Sequence, residues 1–358
     1  MTPAEILSQI DMVRLRMHIE FEEDCDLPPG FALQLRRELL QAGRKVLDRD
    51  RYCRLFEPVA ANDSMTVQRF QRPAPAFVLK ADSMQGKNVF IGQEWQMEIL
   101  FIGSGIPLIP DFIRAFQQMG QSGIFRDLGR FNVVAVSSIG ASGEVAEISI
   151  SGRGSAAQVL PLNWLVDRMG NFGNLRLEVV TPARLVSHGK PLFHPDFLHL
   201  FPFILRRVGA MLWHWGGVEH EIDPHPLLSA ATQVEVLENY LNWEDWKAIP
   251  EVRGMEALGG IAGSLLLTGS ALMDLHWVLS LGSLLNIGKG AAYGAGEYVL
   301  TSTGNGGGWL ADTSDAAGDL HCGDLGGGWS SEKKTQWAHM SRGRSSSAIW
   351  GASRPGHC

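Results

Sequence analysis

Residues 288–296 read Gly-Lys-Gly-Ala-Ala-Tyr-Gly-Ala-Gly, the densest candidate for chemistry in the chain. Gly288 and Gly290 flank Lys289, and Gly294 and Gly296 follow Tyr293. Glycine reaches backbone conformations closed to other residues and leaves amides open to a ligand. An amide-lined turn beside a lysine suits a phosphodiester. Taken alone, the run is equally a tight turn, so its surroundings decide its meaning.

Proton transfer near neutral pH calls for histidine, and phosphate calls for lysine or arginine. His18 alternates with Arg14 and Arg16, which places all three on one face of a strand. His188 and His194 flank Lys190 in a loop that follows Arg184. Arg36 and Arg37 lie on a helical segment, and Arg206 and Arg207 lie on another. His199, His214 and His276 have large apolar neighbours, so packing suits them better. His220 and His225 sit among acidic residues, but their spacing matches no familiar metal site. No metal or cofactor is expected. The patterns GxSxG, GxxxxGK[ST] and HExxH are absent.

These side chains need a scaffold. The chain has 358 residues, 45% hydrophobic and 19% charged, enough for two packed domains. Its net charge of −7 gives no general attraction to nucleic acid. A local basic groove is compatible with an acidic total. Cys25, Cys53, Cys322 and Cys358 show no CxxC spacing, so neither a disulfide framework nor a cysteine zinc site is expected. With no secretory signal or membrane span in the sequence, a cytoplasmic protein is expected.

Periodicity predicts a strand at Val13–Glu20, a helix at Phe31–Leu47, strands at Phe77–Lys80 and Glu94–Ile102, a helix at Asp111–Met119, and strands at Asn132–Ser138 and Glu144–Ile150. This is the order of a ferredoxin-like domain. The order recurs: a strand at Leu175–Thr181, a helix at Asp196–Trp215, strands at Thr232–Leu237 and Gly260–Thr268, a helix at Ala271–Asn286 and a last strand at Gly296–Leu300. The fold class is α+β, with two tandem ferredoxin-like domains at 1–155 and 170–300. Residues 301–358 are rich in Gly and Ser and lack periodicity, so a disordered tail is expected.

The stretch Leu281–Leu300 resembles the C-terminal glycine-rich loop of the CRISPR-associated repeat-processing endoribonucleases of the RAMP superfamily. Thr181–Leu185 with Gly189-Lys190, Phe203–Arg207 and Gly259–Ser264 are similar to other parts of that family's second domain. Tyr52–Pro58, Arg72–Leu79, Gly123 and Arg130-Phe131 look like the first domain of one family variant. The resemblance spans roughly residues 10–300. It implies cleavage of precursor RNA within the repeat, without a metal, by attack of the 2′-hydroxyl to give a 2′,3′-cyclic phosphate. It also implies repeat RNA and other effector subunits as partners. Asn286 stands where the variant has histidine, Trp243–Lys247 is acidic and aromatic where the family is arginine-rich, and the helix Phe31–Leu47 lacks the family's histidine. Tyr52 and Lys45 are substitutes for that histidine. With His18, His188 and His194, Tyr52 makes up the catalytic candidates. A RAMP protein that binds guide RNA in an effector complex without cutting fits the same residues. A small-molecule enzyme on this scaffold fits less well, for want of a nucleotide motif.

Overall fold

The computed structural model describes residues 2–27, 31–59, 73–80, 87–124, 128–148, 157–168, 173–218, 222–246 and 258–303. The expectation for the Gly/Ser-rich segment concerns residues that lie, from 304 onward, outside the described ones. So do His220, Cys322 and Cys358.

Strand β1, Asp11–Phe21, is the centre of the first sheet. Val13, Leu15, Met17 and Ile19 are all 0% exposed on one face. Arg14, Arg16, His18 and Glu20 alternate onto the other, as the pleat requires. Strand β2 is Phe77–Lys80, β3 Glu94–Ile102, β4 Phe131–Ile139 and β5 Val145–Ile148. The order is β2-β3-β1-β4-β5, antiparallel throughout. Helix α1, Phe31–Val46, buries Leu35, Leu39 and Ala42. A short helix α2, Arg49–Phe56, is capped by Asp48, whose side chain accepts from the Arg51 amide. Helix α3, Ile109–Ser122, buries Phe112, Phe116 and Met119. The rings of Phe77, Phe101, Phe112 and Phe56 meet in the core between helices and sheet, at centroid separations of 4.8 to 6.0 Å. Such contacts add to simple area burial.

The second sheet repeats the plan. Strand β6 is Asn174–Ala183, β7 Glu235–Asn239, β8 Asn242–Trp246, β9 Leu258–Thr268 and β10 Tyr298–Ser302. The order is β7-β9-β6-β10, with β8 also on β9. Helix α4, Phe197–Gly216, is capped by Asp196 and ends at Gly217 in the left-handed conformation. Helix α5 is Pro224–Ala231, and α6 is Leu272–Leu285. Each sheet thus places its first strand in sequence at its centre, β1 between β3 and β4 and β6 between β9 and β10, which is the ferredoxin-like arrangement. We propose residues 1–155 and 170–300 as the two domains. Both sheets lie in one compact unit.

The structure also holds elements that periodicity did not predict. Helices α2 and α5 have only eight residues each. Strand β8 forms from the acidic-aromatic stretch, and the hairpin pair Val186–Ser187 with Lys190–Pro191 has two residues a side. Cys25 and Cys53 are free thiols. No helix among the described residues is long and apolar enough to cross a membrane.

Tyr298 shows how the second core is tied. Its ring is 1% exposed, and its hydroxyl donates to the Leu279 carbonyl at 2.6 Å. Burial pushes the phenol well above its ordinary range. Tyr298→Phe is expected to cost about 1 kcal/mol, the net value of one such bond. A urea titration measures it, and an unchanged midpoint would show the bond to be idle.

Candidate functional site

The glycine run folds back onto the end of β6. The Lys289 amide donates to the Arg184 carbonyl at 3.0 Å, and the Gly296 amide to the Pro182 carbonyl at 3.2 Å. The Ile287 amide donates to the Gly296 carbonyl at 2.9 Å, closing the loop at its neck. The Thr181 hydroxyl donates to the Gly294 carbonyl at 2.8 Å and accepts from the Glu297 amide at 2.7 Å. Gly288, Gly290, Gly294 and Gly296 all have positive φ, between 65° and 90°. At Gly296 a Cβ would lie 1.9 Å from the Ile287 oxygen, so no other residue fits. The amides of Ile287, Lys289, Tyr293, Gly294, Ala295, Gly296 and Glu297 donate to protein acceptors. The glycines serve the loop's own path, and what the loop turns outward is the exposed Lys289 side chain.

One pocket forms where this loop meets α1. It is lined by Arg36, Pro182, Arg184, Gly259, Lys289, Gly290, Tyr293 and Ala295. The Arg36 guanidinium lies 5.6 Å from the centroid of the Tyr293 ring, a cation–π distance. Tyr293 is buried against Phe77, with ring centroids 5.5 Å apart. Burial, first, raises its phenol far above the ordinary range, so it keeps its proton. Arg184 is half-buried, and its Nε is buried without an acceptor among the described residues. Arg184 is among the residues lining the cavity, where a guanidinium can bind an oxyanion. Three cations from α1, the end of β6 and the glycine loop thus converge on one cavity.

The loop is also clasped from the first sheet. Asn286 is 0% exposed with φ 55°. Its Nδ2 donates to the Leu79 carbonyl at 3.3 Å and the Ala291 carbonyl at 3.2 Å. Its Oδ1 accepts from Lys80 Nζ at 2.7 Å. Lys80 also donates to the Ser283 carbonyl at 2.7 Å and lies 3.5 Å from Glu297. Burial lowers the Lys80 pKa, and Glu297 opposes that shift. Sequence reading passed over Lys80, although a lone charge ending the apolar strand Phe-Val-Leu-Lys was a signal.

The other candidates divide. In the sheet register Arg16 faces Glu98, and Lys80 faces Glu98 from the far side. Arg14, Arg16, His18 and Lys80 therefore share the face opposite Phe77, Tyr293 and the helices. Arg14 and Arg16 both bind Glu98, at 3.2 and 2.7 Å. His18 Nε2 sits 3.4 Å from the Ser137 hydroxyl. Burial, then Arg16, lowers its pKa below the ordinary 6.5, so it is neutral at neutral pH. This histidine favours folding above its unfolded pKa and loses that contribution as pH falls toward the folded value. His18 is not among the residues lining the pocket.

Tyr52 is 6% exposed and donates to Glu57 at 3.1 Å. Burial and Glu57 raise its phenol, so it is a poor base and a packed one. Arg207, a candidate for holding phosphate, has its Nε donating to the Leu285 carbonyl at 3.2 Å, and burial lowers its pKa to about 10. Arg37 binds the neighbouring Glu38 at 2.8 Å. Arg206 is exposed over the Phe203 ring. His188, Lys190 and His194 are exposed on and beside the hairpin that leaves Arg184, and His188 has φ 50°. Among the described residues no group of three His, Cys, Asp or Glu side chains is placed to hold a metal.

A family model described as CRISPR-associated endoribonuclease Cas6 matches residues 177–298. Another, described only as an N-terminal domain, matches residues 10–160. No protein of curated function matches the chain. Among solved structures, a partial Cas6-RT-Cas1–Cas2 complex is 11% identical with a TM-score of 0.53, over 84% of this chain and 48% of that one. Thermus thermophilus Cas6 is 14% identical with a TM-score of 0.48, over 82% of this chain and 99% of that one. A Cas6 product complex gives 14% and 0.48, over 81% and 99%. At such identities the first of these supports the fold alone.

Proposed function

We propose that this chain, whose residues 177–298 match the Cas6 endoribonuclease model, is a member of that family and cuts CRISPR precursor RNA within the repeat without a metal. The observation that carries this reading is the convergence of Arg36, Arg184 and Lys289 on one pocket beside Tyr293. The RNA's 2′-oxygen loses its proton and attacks the adjacent phosphorus, the bond to the 5′-oxygen breaks, that oxygen takes up a proton from water, and a 2′,3′-cyclic phosphate and a 5′-hydroxyl result. The three cations steady the phosphorane, where charge builds up. Tyr293 stays protonated and acts only as a donor. We assign the removal of the 2′ proton to His188 or His194, whose hairpin is tied to the pocket by the Leu192 amide on the Leu185 carbonyl at 3.0 Å.

A second reading has one observation in its favour: no histidine is among the residues lining the pocket. In it the chain holds guide RNA within an effector complex and does not cut. Labelled repeat RNA in EDTA separates the two. Cleavage that a 2′-deoxy substitution at the scissile site blocks supports the enzyme. Binding without cleavage leaves the second reading.

His18→Ala is expected to leave the single-turnover rate within about threefold of wild type, because removal of a general base costs roughly a hundredfold or more and His18 faces away from the pocket. A hundredfold loss would return catalysis to the face of Arg14 and Arg16.

A further inference from the structure

Beside the cation pocket lies an aromatic pair with no role in the scheme above. Phe193 is 51% exposed, and its ring centroid is 4.9 Å from that of Trp243, tilted by 52°. Trp243 is fixed at its edge, where Nε1 donates to Asp245 at 2.6 Å. It is fixed from behind as well: a Cβ on Gly259 would come within 2.5 Å of the indole. Gly259 itself lines the pocket of Arg36, Arg184 and Lys289. The indole thus stands between the phosphate pocket on one side and an outward-facing phenyl ring on the other.

We propose that Phe193, backed by Trp243, is a stacking subsite for one unpaired base of the RNA whose phosphate occupies the pocket. This rests on the RNA reading above and narrows it to a strand that is single at this point. Base–aromatic stacking needs an exposed π-face held rigidly, and Trp243 provides the rigidity. The surrounding charges sort the nucleotide's parts. His188, Lys190 and His194 lie on the Phe193 segment, while Glu244 and Asp245 lie on the Trp243 strand. Carboxylates beside the indole repel phosphate, so the uncharged base is the part this surface accepts. The backbone is left to the hairpin and Lys289. A paired base, stacked within a duplex, cannot present its face there.

The test is binding of single-stranded repeat RNA by the full chain, by fluorescence polarisation across a potassium chloride series. Phe193→Ala is expected to weaken binding about 5- to 100-fold, the range for losing one stacked base. The slope of log affinity against log salt should not change, because no phosphate contact is lost. Phe193→Leu, which keeps apolar bulk without the π-face, should be nearly as weak, and Phe193→Trp should bind as wild type does. If Phe193→Ala binds like wild type, the subsite is wrong and the RNA reading survives. If Phe193→Leu restores binding, the contact is only apolar and stacking is overturned. If the salt slope falls along with affinity, Phe193 holds the hairpin rather than a base, which also overturns it. A wild-type chain that binds no RNA at all removes the RNA reading and this inference together.

Discussion

Arg184→Ala is expected to lower the single-turnover rate of repeat cleavage by about 100- to 1000-fold, the cost of removing one preorganised donor from a developing oxyanion. The side chain is half-buried and lines the pocket, and its Nε is buried with no acceptor among the described residues. A guanidinium lining the pocket can meet the charge that builds up on a phosphorane there. The loop itself does not depend on the side chain. It is the Arg184 carbonyl that takes the Lys289 amide at 3.0 Å, and alanine keeps that carbonyl. The loss should therefore fall on the rate, with a smaller change in affinity. Arg184→Lys should recover little, since an ammonium is a point charge without the planar fork of donors. Lys289 is exposed, and its replacement by alanine should lower the rate less than Arg184→Ala does while also costing affinity and reducing the salt slope. An Arg184→Ala protein that cuts at the wild-type rate would mean that the phosphate is held elsewhere.

Much of this frame is legible in the residues. Clean alternation over Val13–Glu20 gives the central strand, and Phe77–Lys80 and Glu94–Ile102 emerge with the bounds read from sequence. All four glycines have positive φ, a conformation that glycine adopts without strain. What alternation does not give is which face of a strand meets which distant element. His18, Arg14 and Arg16 look like a catalytic trio in the sequence, and the pairing of Arg16 and Lys80 with Glu98 puts that trio on the face away from Tyr293. The acceptors for the loop amides are equally hidden, because Pro182 and Arg184 lie about a hundred residues upstream. Arg207 shows the same limit. Next to Arg206 it reads as a basic surface, but one step along a helix is a rotation of about 100°, enough to bury one neighbour and expose the other.

Asn286 is where sequence and structure differ most, and it carries the largest expected loss of stability. Read against the family, it is a missing histidine. In the structure it is the knot between the first sheet and the glycine loop. Two donors reach Leu79 and Ala291, and one acceptor takes Lys80. Asn286→Ala removes all three bonds, leaves Lys80 short of a partner in a buried place, and puts a Cβ without polar compensation at φ 55°. At about 1 kcal/mol for each bond, and more for the one to the ammonium, the expected loss is roughly 3–4 kcal/mol. Asn286→Gly loses the same bonds but relaxes the backbone, so it should be less destabilised than alanine by about 1 kcal/mol. Asn286→His, which restores the family's residue, should be destabilised too. A neutral imidazole has one donor and one acceptor and cannot meet three partners. It should gain no cutting, because the position faces Lys80 and two carbonyls instead of the pocket. Urea midpoints of the three variants, taken with the rate of repeat cleavage, decide the matter. A histidine variant that is stable and cuts faster would restore the catalytic reading of this position and discard the clasp.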